Sequence, residues 1–365
     1  MSDLCAPTFE RLAESLGFSC SEAGGLLEFR NPLQLENWTL PVLEITVITG
    51  AVLALIYAII RYRRGDATNL ALWFGAIAYL LIIEPPLYFP GAFGIADHVD
   101  TMFAHNVFTV DFLWGRLPLY IVAIYPMMAT ISFEIVRILG VFRRYGAIVG
   151  AICVGFVHHA FYEIFDHLGP QLRWWEWSVD NPLNQPMFTS VPMGSVVVFA
   201  ALWPASLALC VQLLVGRQVD HGRRFGGLQV LWRTIVIGVL ASLGTDGKLL
   251  GIAYAVELLI IAAVAIPVLI IQWRRLRLNL FAAGRYDNPL MVRYAAGYLS
   301  VMTVLWLTAL PAYLDASGGL TANGDPVGCL WYVVLCFVVA YLSVVAAATV
   351  PPILPAQRRP AVDVG

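Results

Sequence analysis

Charged residues are scarce in this sequence. They make up 13% of its 365 residues, about half of the ~25% typical of soluble domains, while hydrophobic residues reach 59%. The net charge is only −2, so the chain has no basic excess with which to bind nucleic acid. This composition excludes an ordinary soluble globular protein and predicts a membrane protein.

Motifs of several common membrane enzymes are also missing. Asp97-x-x-Asp100 stands alone, whereas membrane prenyltransferases use paired aspartate motifs to bind magnesium diphosphate. His158-His159 is the single adjacent histidine pair, which excludes the extended histidine boxes of desaturases. The sequence shows no Gly-rich phosphate loop, no internal repeat and no second soluble domain.

Apolar stretches long enough to cross a bilayer recur along almost the whole chain after residue 40. Because backbone polar groups in lipid must bond within their own segment, we read these stretches as helices. We predict an all-α integral membrane protein with about nine transmembrane helices. The predicted spans are Leu40 to Tyr62, Leu70 to Leu87, Leu117 to Val136, Ala147 to Phe165, Pro192 to Leu214, Val230 to Leu243, Gly251 to Trp273, Tyr294 to Tyr313 and Gly328 to Val350.

The arginines give the expected orientation, because basic residues are retained on the cytoplasmic side. They cluster in alternate connections, while the other connections are nearly free of bases. We therefore expect residues 1–39 to form a short segment outside, 40–350 the transmembrane domain and 351–365 a cytoplasmic tail. The expected location is the cell membrane, as a multi-pass protein of the bacterial inner or plasma membrane.

The first 40 residues contain no basic leader and no apolar signal core, so we expect no cleavage. Cys5 and Cys20 lie in this segment. An oxidising compartment would allow a disulfide between them, and two free thiols are the other possibility.

Ionisable residues at membrane depth call for a structural or functional explanation, because burying a charge in lipid is costly. The sequence places six there: Glu44, Glu84, Glu134, Glu163, Arg233 and Glu257. Glu134 and Arg233 have opposite charge and similar depth. We expect them to form a structural ion pair or to extend separately towards water.

The densest polar segment ends the fourth predicted span, from His158 to His167. Helical spacing puts His159, Glu163 and then Asp166 or His167 on one face. Such a stripe could supply a general acid, since a carboxyl group in an apolar pocket can donate a proton near neutral pH. It could also bind Zn or Fe, or it could be a solvated helix end.

Two neighbouring features could complete a site on the same side. Glu84 precedes Pro85-Pro86, which predicts a helix break just after the acid, of the kind tolerated where backbone lines a cavity. The loop from His98 to Arg116 mixes polar groups with aromatic rings. A lid over an apolar pocket would look like this, and so would an interfacial aromatic belt.

The loop after the fourth span carries three tryptophans within four residues: Trp174, Trp175 and Trp177. They could anchor the loop at the membrane interface. They could equally form the wall of a cavity that stabilises a carbocation by cation–π attraction. The sequence leaves both possibilities open.

A helix ending in acids, a loop with Trp175-x-Trp177 and a Val191-Pro192 opening of the next helix together resemble a stretch of the membrane-embedded carotenoid hydratases. Those enzymes add water to terminal double bonds of isoprenoid chains. The resemblance implies proton-initiated chemistry on a polyene or isoprenoid, with Glu163 or Asp166 as the acid. The stretch is also similar to small integral-membrane terpene cyclases, which use buried acids without a metal.

Three functions therefore remain. The first is a lyase or isomerase that acts on an isoprenoid or lipid by acid/base chemistry, without a cofactor. Its catalytic candidates are Glu163, Asp166, His159, His167 and Glu84. Its substrate-binding candidates are Trp174, Trp175, Trp177, Tyr162, Asp111 and Arg116.

The second function is a Zn or Fe enzyme using His158, His159, Glu163, His167, His98 and His105. The third is a proton-coupled carrier or assembly protein. The expected partners are the lipid bilayer and an apolar small molecule.

Overall fold

Long apolar helices make up most of the structure, a computed structural model that describes residues 5–96, 99–243, 251–277 and 290–350. Helix α6 contains π-helical turns at Ser195–Leu202 and Gln212–Gly216. The helices are α1 Pro7–Leu16, α2 Thr39–Arg63, α3 Thr68–Tyr88, α4 Leu119–Ile138, α5 Val141–Asp166, α6 Ser195–Asp220, α7 Gly227–Leu243, α8 Gly251–Arg277, α9 Leu290–Leu314 and α10 Leu330–Ala348.

In the described ranges, eight helices are long and apolar enough to cross a membrane: α2 to α6 and α8 to α10. The remaining predicted span, Val230 to Leu243, corresponds to α7, which has 17 residues. At 1.5 Å per residue α7 is about 26 Å long, slightly less than the ~30 Å hydrocarbon core. It packs closely along α3, since a Cβ on Gly238 would lie 2.6 Å from the Ala78 Cβ. A ninth crossing remains a prediction.

Helix α4 lies at the centre of the bundle. Within its apolar window 89% of the residues are buried, against 17% for α8, which runs along the outside. Neighbouring helices therefore shield α4 from lipid on nearly all sides. Polar side chains on α4 can be satisfied only by other helices, and the structure places hydrogen-bonding clusters at both of its ends.

Two helices differ locally from a simple rod. Gly146 adopts a φ of 84° inside α5, so the helix is kinked one residue before Ala147, the predicted start of the fourth span. The predicted break after Glu84 is wrong, because α3 continues through Pro85 and Pro86 to Tyr88. Each proline removes one hydrogen bond to the carbonyl four residues earlier, but only Leu87 and Tyr88 of α3 follow them.

Three small antiparallel sheets cover one end of the bundle, and the sequence did not predict them. We call this the capped end; it comprises residues 5–38, 89–96, 99–118 and 167–194. One sheet joins β1 (Leu27–Phe29), β3 (Val110–Phe112) and β4 (Leu117–Pro118). A second pairs β2 (Phe103–His105) with β5 (Trp175–Trp177), and a third pairs β6 (Met187–Phe188) with β7 (Val191–Pro192).

Helix α1 forms the outermost layer of the capped end. Its apolar face buries Phe9, Leu12 and Leu16 in a small separate core that also includes Ala104 of β2. A disulfide joins Cys5 to Cys20 and closes the loop around α1. Of the two possibilities left by the sequence, the structure contains the disulfide.

We expect the double substitution of Cys5 and Cys20 by Ser to loosen α1. Closing a loop of about 15 residues stabilises a fold by roughly 3 kcal/mol, a large contribution for a core of this size. Limited proteolysis of the purified protein should cut residues 5–23 faster in the double variant than in wild type. Wild type treated with reductant should match the variant. Equal cleavage of wild type, the double variant and reduced wild type would show that the disulfide contributes nothing to the stability of the capped end.

A polar network occupies the other end of α4. The Glu134 carboxylate accepts hydrogen bonds from the Tyr57 hydroxyl at 2.8 Å and the Asn69 amide at 2.9 Å, and Arg137 lies 3.4 Å from it. Asp66 in turn forms ion pairs with Arg61 and Arg137. Surrounded by these groups, Asp66 has a pKa well below its ordinary value, because the two arginines outweigh the effect of burial.

The expected ion pair between Glu134 and Arg233 is wrong. Arg233 donates instead to the backbone oxygens of Leu214 at 3.3 Å and Gln229 at 3.1 Å, and its guanidinium lies over the Trp232 ring. Similar depth in the membrane did not bring the two side chains together, because α4 is central and α7 peripheral. Glu134 is paired within its own helix and with α2 and α3.

Candidate functional site

Strands β2 and β5 form a two-stranded ribbon with one aromatic face. Phe103 lies opposite Trp177, and His105 lies opposite Trp175. Because alternate residues of a strand point to the same side, these four rings share one face. The other face, with Ala104, packs against the core of α1. The ribbon therefore forms a rigid aromatic roof over the bundle.

Glu84 reaches this region from the last turn of α3. Its side chain is 4% exposed, and its Oε1 accepts a hydrogen bond of 2.5 Å from the Tyr125 hydroxyl of α4. The Tyr88 ring, one turn further along α3, packs against Phe103 and His105 of the roof. Glu84 is thus held in one orientation directly beneath the ribbon.

Asp166 approaches from the end of α5. It is 1% exposed, and its Oδ2 accepts a hydrogen bond of 2.6 Å from the Ser195 hydroxyl. Ser195 opens the first π-helical turn of α6, and such turns often occur at functional sites. The other oxygen, Oδ1, has no hydrogen-bond partner within the described chain.

The two acids line one small cavity with a volume of about 40 Å³. Aromatic rings form most of its wall, and Phe165 of α5 contacts the Trp175 ring of the roof at 4.7 Å. Its lining residues are Glu84, Phe103, His105, Ile121, Ile124, Tyr125, Tyr162, Phe165, Asp166, Trp175, Trp177 and Phe199. We call this space the aromatic cavity. It has room for about three water molecules or the end of an apolar chain.

His105 connects the roof to the tyrosines below it. Its Nδ1 lies 3.2 Å from the Tyr120 hydroxyl and its Nε2 lies 3.5 Å from the Tyr88 hydroxyl. Burial lowers the pKa of His105 to about 3, so the ring is neutral at physiological pH. A neutral ring can accept a proton at one nitrogen and donate at the other, which makes His105 a relay group rather than a fixed charge.

Gly169 leaves the space that Trp175 needs. A Cβ at this position would lie 2.0 Å from the Trp175 ring. We expect Gly169→Ala to displace that ring and to reduce the free energy of unfolding by about 1–3 kcal/mol, the usual cost of overpacking. Thermal unfolding of the detergent-purified protein measures the loss.

Gly297→Ala is the matched control, because nothing lies within 4 Å of a Cβ at Gly297 in α9. It should unfold at or slightly above the wild-type temperature, since Ala favours a helix over Gly. If both substitutions had the same effect, tight packing of Trp175 on Gly169 would be refuted.

The other predicted acid, Glu163, lies outside the lining of the aromatic cavity. It is fully buried, and its Oε2 lies 3.2 Å from the His167 Nε2 in a contact that is poorly aligned for a hydrogen bond. Nδ1 of His167 accepts from the backbone N–H of Cys329 at 3.4 Å, which places the ring proton on Nε2, facing Glu163. Burial lowers the pKa of His167 to about 4, so this ring is neutral.

His159 belongs to the same side of α5 as Glu163. Its Nε2 forms a hydrogen bond with the Tyr332 hydroxyl of α10, and the Tyr332 ring also contacts the His167 ring edge to face at 5.4 Å. Of the two predicted stripes, the one with His167 holds together, and Asp166 lies apart from it. Asp166 and Tyr162 face the aromatic cavity, and His159, Glu163 and His167 form a second cluster towards α10.

Trp174 and Asp111, which were also predicted to bind substrate, do not line the aromatic cavity and contact other parts of the fold. Trp174 is buried behind the roof, donating to the Thr39 hydroxyl at 2.8 Å and stacking on Phe165. Asp111 accepts from the Phe108 N–H at 2.9 Å and pairs with Arg30. Burial nevertheless raises the pKa of Asp111 to about 7.

Arg116 and His158 are also held by packing. The Arg116 guanidinium lies between the rings of Phe9 and Phe89 at 4.0 and 4.9 Å, and burial lowers its pKa to about 10. His158 bonds through Nδ1 to the Ala200 oxygen at 2.8 Å and stacks on Tyr162. His98 lies outside the described residues.

In the described part of the chain, one group of three side chains that could bind a metal lies close together. The group comprises Cys5, Glu10 and Cys20, and its two cysteines form the disulfide. The predicted histidine ligands are dispersed: His105 lies under the roof, His158 faces α6, and His159 and His167 face α10.

The comparisons with known proteins give no neighbour. No protein-family model, curated protein or solved structure matches this chain.

Sequence reasoning missed several residues of the aromatic cavity and its supports, among them the hydroxyl groups of Tyr125, Tyr88 and Ser195. A signal for Tyr88 existed, since it lies four residues after Glu84 and shares its helix face. Tyr125 and Ser195 meet the acids across helices, and nothing in their local sequence distinguishes them. Their positions depend on how α4 and α6 are rotated against α3 and α5.

Proposed function

We propose that this protein is a membrane-embedded enzyme that acts on an apolar isoprenoid or lipid substrate by acid/base chemistry in the aromatic cavity. One observation carries the proposal. Glu84 and Asp166, from two different helices, converge on a single buried cavity whose other walls are mostly aromatic. Structural acids at this depth would be expected to pair with bases, and no Lys or Arg is among the residues lining the cavity.

The proposed chemistry begins with protonation of a carbon–carbon double bond. Asp166 donates its proton to one carbon, and the π electrons form the new C–H bond, which leaves a carbocation on the other carbon. The faces of Trp175, Trp177 and Tyr162 stabilise that charge by cation–π attraction. Glu84 then removes a proton from a neighbouring carbon, completing an isomerisation or cyclisation, or it takes a proton from an attacking water, completing a hydration.

The surroundings suit this division of roles. The Ser195 hydroxyl bonds to one oxygen of Asp166, and the Tyr125 hydroxyl bonds to one oxygen of Glu84. Each acid therefore keeps its second oxygen for the reaction. The neutral His105, with Tyr88 and Tyr120, offers a route by which protons return between turnovers. In the expected orientation the capped end faces the outside, where its disulfide would persist.

Proton incorporation from solvent tests the proposal. Membranes from a deletion strain supply the accumulated substrate, and the purified protein is added in D₂O buffer. Extracted lipids should contain a product with one deuterium bound to carbon, because the acid exchanges with solvent before each turnover. A product without carbon-bound deuterium, or no change in the lipids, would refute proton-initiated chemistry.

The contact between Glu163 and His167 favours a second candidate, a metal-dependent enzyme. Carboxylate and imidazole at i and i+4 suit Zn or Fe, and the Glu163 oxygens lack a hydrogen bond within the described residues. Metal analysis of the purified wild type beside Glu163→Gln and His159→Ala tests it. Stoichiometric metal that disappears in both variants would support the metalloenzyme, and metal-free, active wild type would exclude it.

A further inference from the structure

A second and much larger cavity lies on the other side of α5. Its volume is about 620 Å³, and it is bounded by α5, α8, α10 and the start of α6. On α10 its wall extends from Tyr332 to Val339, which corresponds to about 10 Å along the helix axis. The cavity lies mostly among helices long and apolar enough to span a membrane, with its end at the capped end of the bundle. We call it the chain cavity.

The wall of the chain cavity is almost entirely apolar. Phe156, Leu258, Ile261 and Val339 are typical of the residues that line it. None of its lining residues is Asp, Glu, Lys or Arg. Burying a phosphate or an ammonium group here would leave the charge without a partner, at a cost of several kcal/mol or more.

One polar pair interrupts this wall. His159 of α5 and Tyr332 of α10 line the cavity and are hydrogen bonded to each other. Whichever of the two atoms donates in this bond, the Tyr332 hydroxyl keeps the capacity for one further hydrogen bond. A hydroxyl or carbonyl group could bond to this pair without any charge being buried.

We propose that the chain cavity binds one long-chain apolar molecule with an uncharged oxygen end group, an alcohol or a carbonyl compound, whose oxygen bonds to the His159–Tyr332 pair. The chain lies along α10 between α5 and α8. This site is separate from the aromatic cavity, which α5 and the first turns of α6 divide from it, with Phe199 facing one and Val196 the other. Its binding can be measured whether or not the proposed acid/base reaction takes place.

Photocrosslinking tests the site. Purified protein in lipid nanodiscs is labelled with a hexadecanol that carries a diazirine in its chain, and labelled peptides are identified by mass spectrometry. Labels should fall on α8 and α10 residues that line the cavity. Ala262→Phe, which fills the cavity from α8, should lower labelling at least tenfold.

Ala263→Phe is the matched control, because Ala263 is exposed on the adjacent face of α8. It should label as wild type does. Equal labelling of both variants, or labels spread evenly over the exposed faces of α9, would mean that the alcohol only surrounds the protein as lipid and would overturn the site.

The end group is tested by competition. Unlabelled 1-hexadecanol should displace the probe at least tenfold better than hexadecyl phosphate, which has the same chain. Tyr332→Phe is a small change that preserves packing. It should weaken the binding of 1-hexadecanol, measured by displacement of the probe, by about two- to tenfold, the effect of one neutral hydrogen bond. If the phosphate competes equally well, or Tyr332→Phe leaves the competition unchanged, recognition of an uncharged oxygen is refuted.

Discussion

Asp166→Asn should reduce turnover in the aromatic cavity by about 10²–10⁴-fold, the range attributed to one general acid. The amide keeps the shape of the carboxyl group and still accepts from the Ser195 hydroxyl, so the fold should be unchanged. It has no acidic proton to give. In a deletion strain carrying the variant, the accumulated apolar metabolite should persist as if no protein were present.

Glu84→Gln should have a comparable effect, because it removes the second acid and keeps the hydrogen bond from Tyr125. Glu176→Gln is the matched control. Glu176 lies between Trp175 and Trp177 on β5 but opposite Ala104, so it faces away from the cavity. The control should restore the wild-type lipid profile. Full activity of Asp166→Asn, or equal loss in Glu176→Gln, would exclude the proposed acid.

Glu134→Leu should lower the free energy of unfolding by about 3–5 kcal/mol, because removing one partner leaves buried charge uncompensated. The Tyr57 hydroxyl, the Asn69 amide and Arg137 would all lose their shared acceptor. Arg137 would retain Asp66, which should keep the loss within this range. Unfolding of the purified protein by denaturing detergent, followed by circular dichroism, measures it.

Two comparisons make this result specific. Tyr57→Phe removes the hydrogen bond to Glu134 and the one accepted from Arg61, and should cost about 1–3 kcal/mol. Arg64→Ala changes an exposed arginine one turn from the network and should stay within about 0.5 kcal/mol of wild type. A loss in Glu134→Leu no larger than in Arg64→Ala would show that the network is not structural.

The bundle could be predicted because hydropathy is a local property. Apolar runs indicate spans whatever their neighbours are, and eight of the nine predicted spans correspond to helices long and apolar enough to cross a membrane. The strands of the capped end were missed because each has two or three residues, too few for a periodic pattern to be recognised. Trp175-x-Trp177 does show period two, and it is the one sequence signal of the ribbon.

The site was predicted only in part, because contact between helices depends on their rotation and neighbours. Glu84, Asp166, Tyr162, Trp175 and Trp177 were all singled out, and the aromatic cavity brings them together. Helical spacing left open whether Glu163 would join Asp166 or His167, and the structure places it beside His167. Residues three apart are separated by about 60° around a helix, enough to place them towards different neighbours.

The strand pairs also constrain the course of the chain through the membrane. Leu27 pairs with Phe112, and Phe103 pairs with Trp177, so each pair closes a path of two helices that must return to its starting side. The chain therefore returns to its starting side after α2 and α3, and again after α4 and α5. This conclusion depends neither on the arginines nor on hydropathy. Reporter domains inserted near residues 25, 95 and 180 must therefore all report the same compartment.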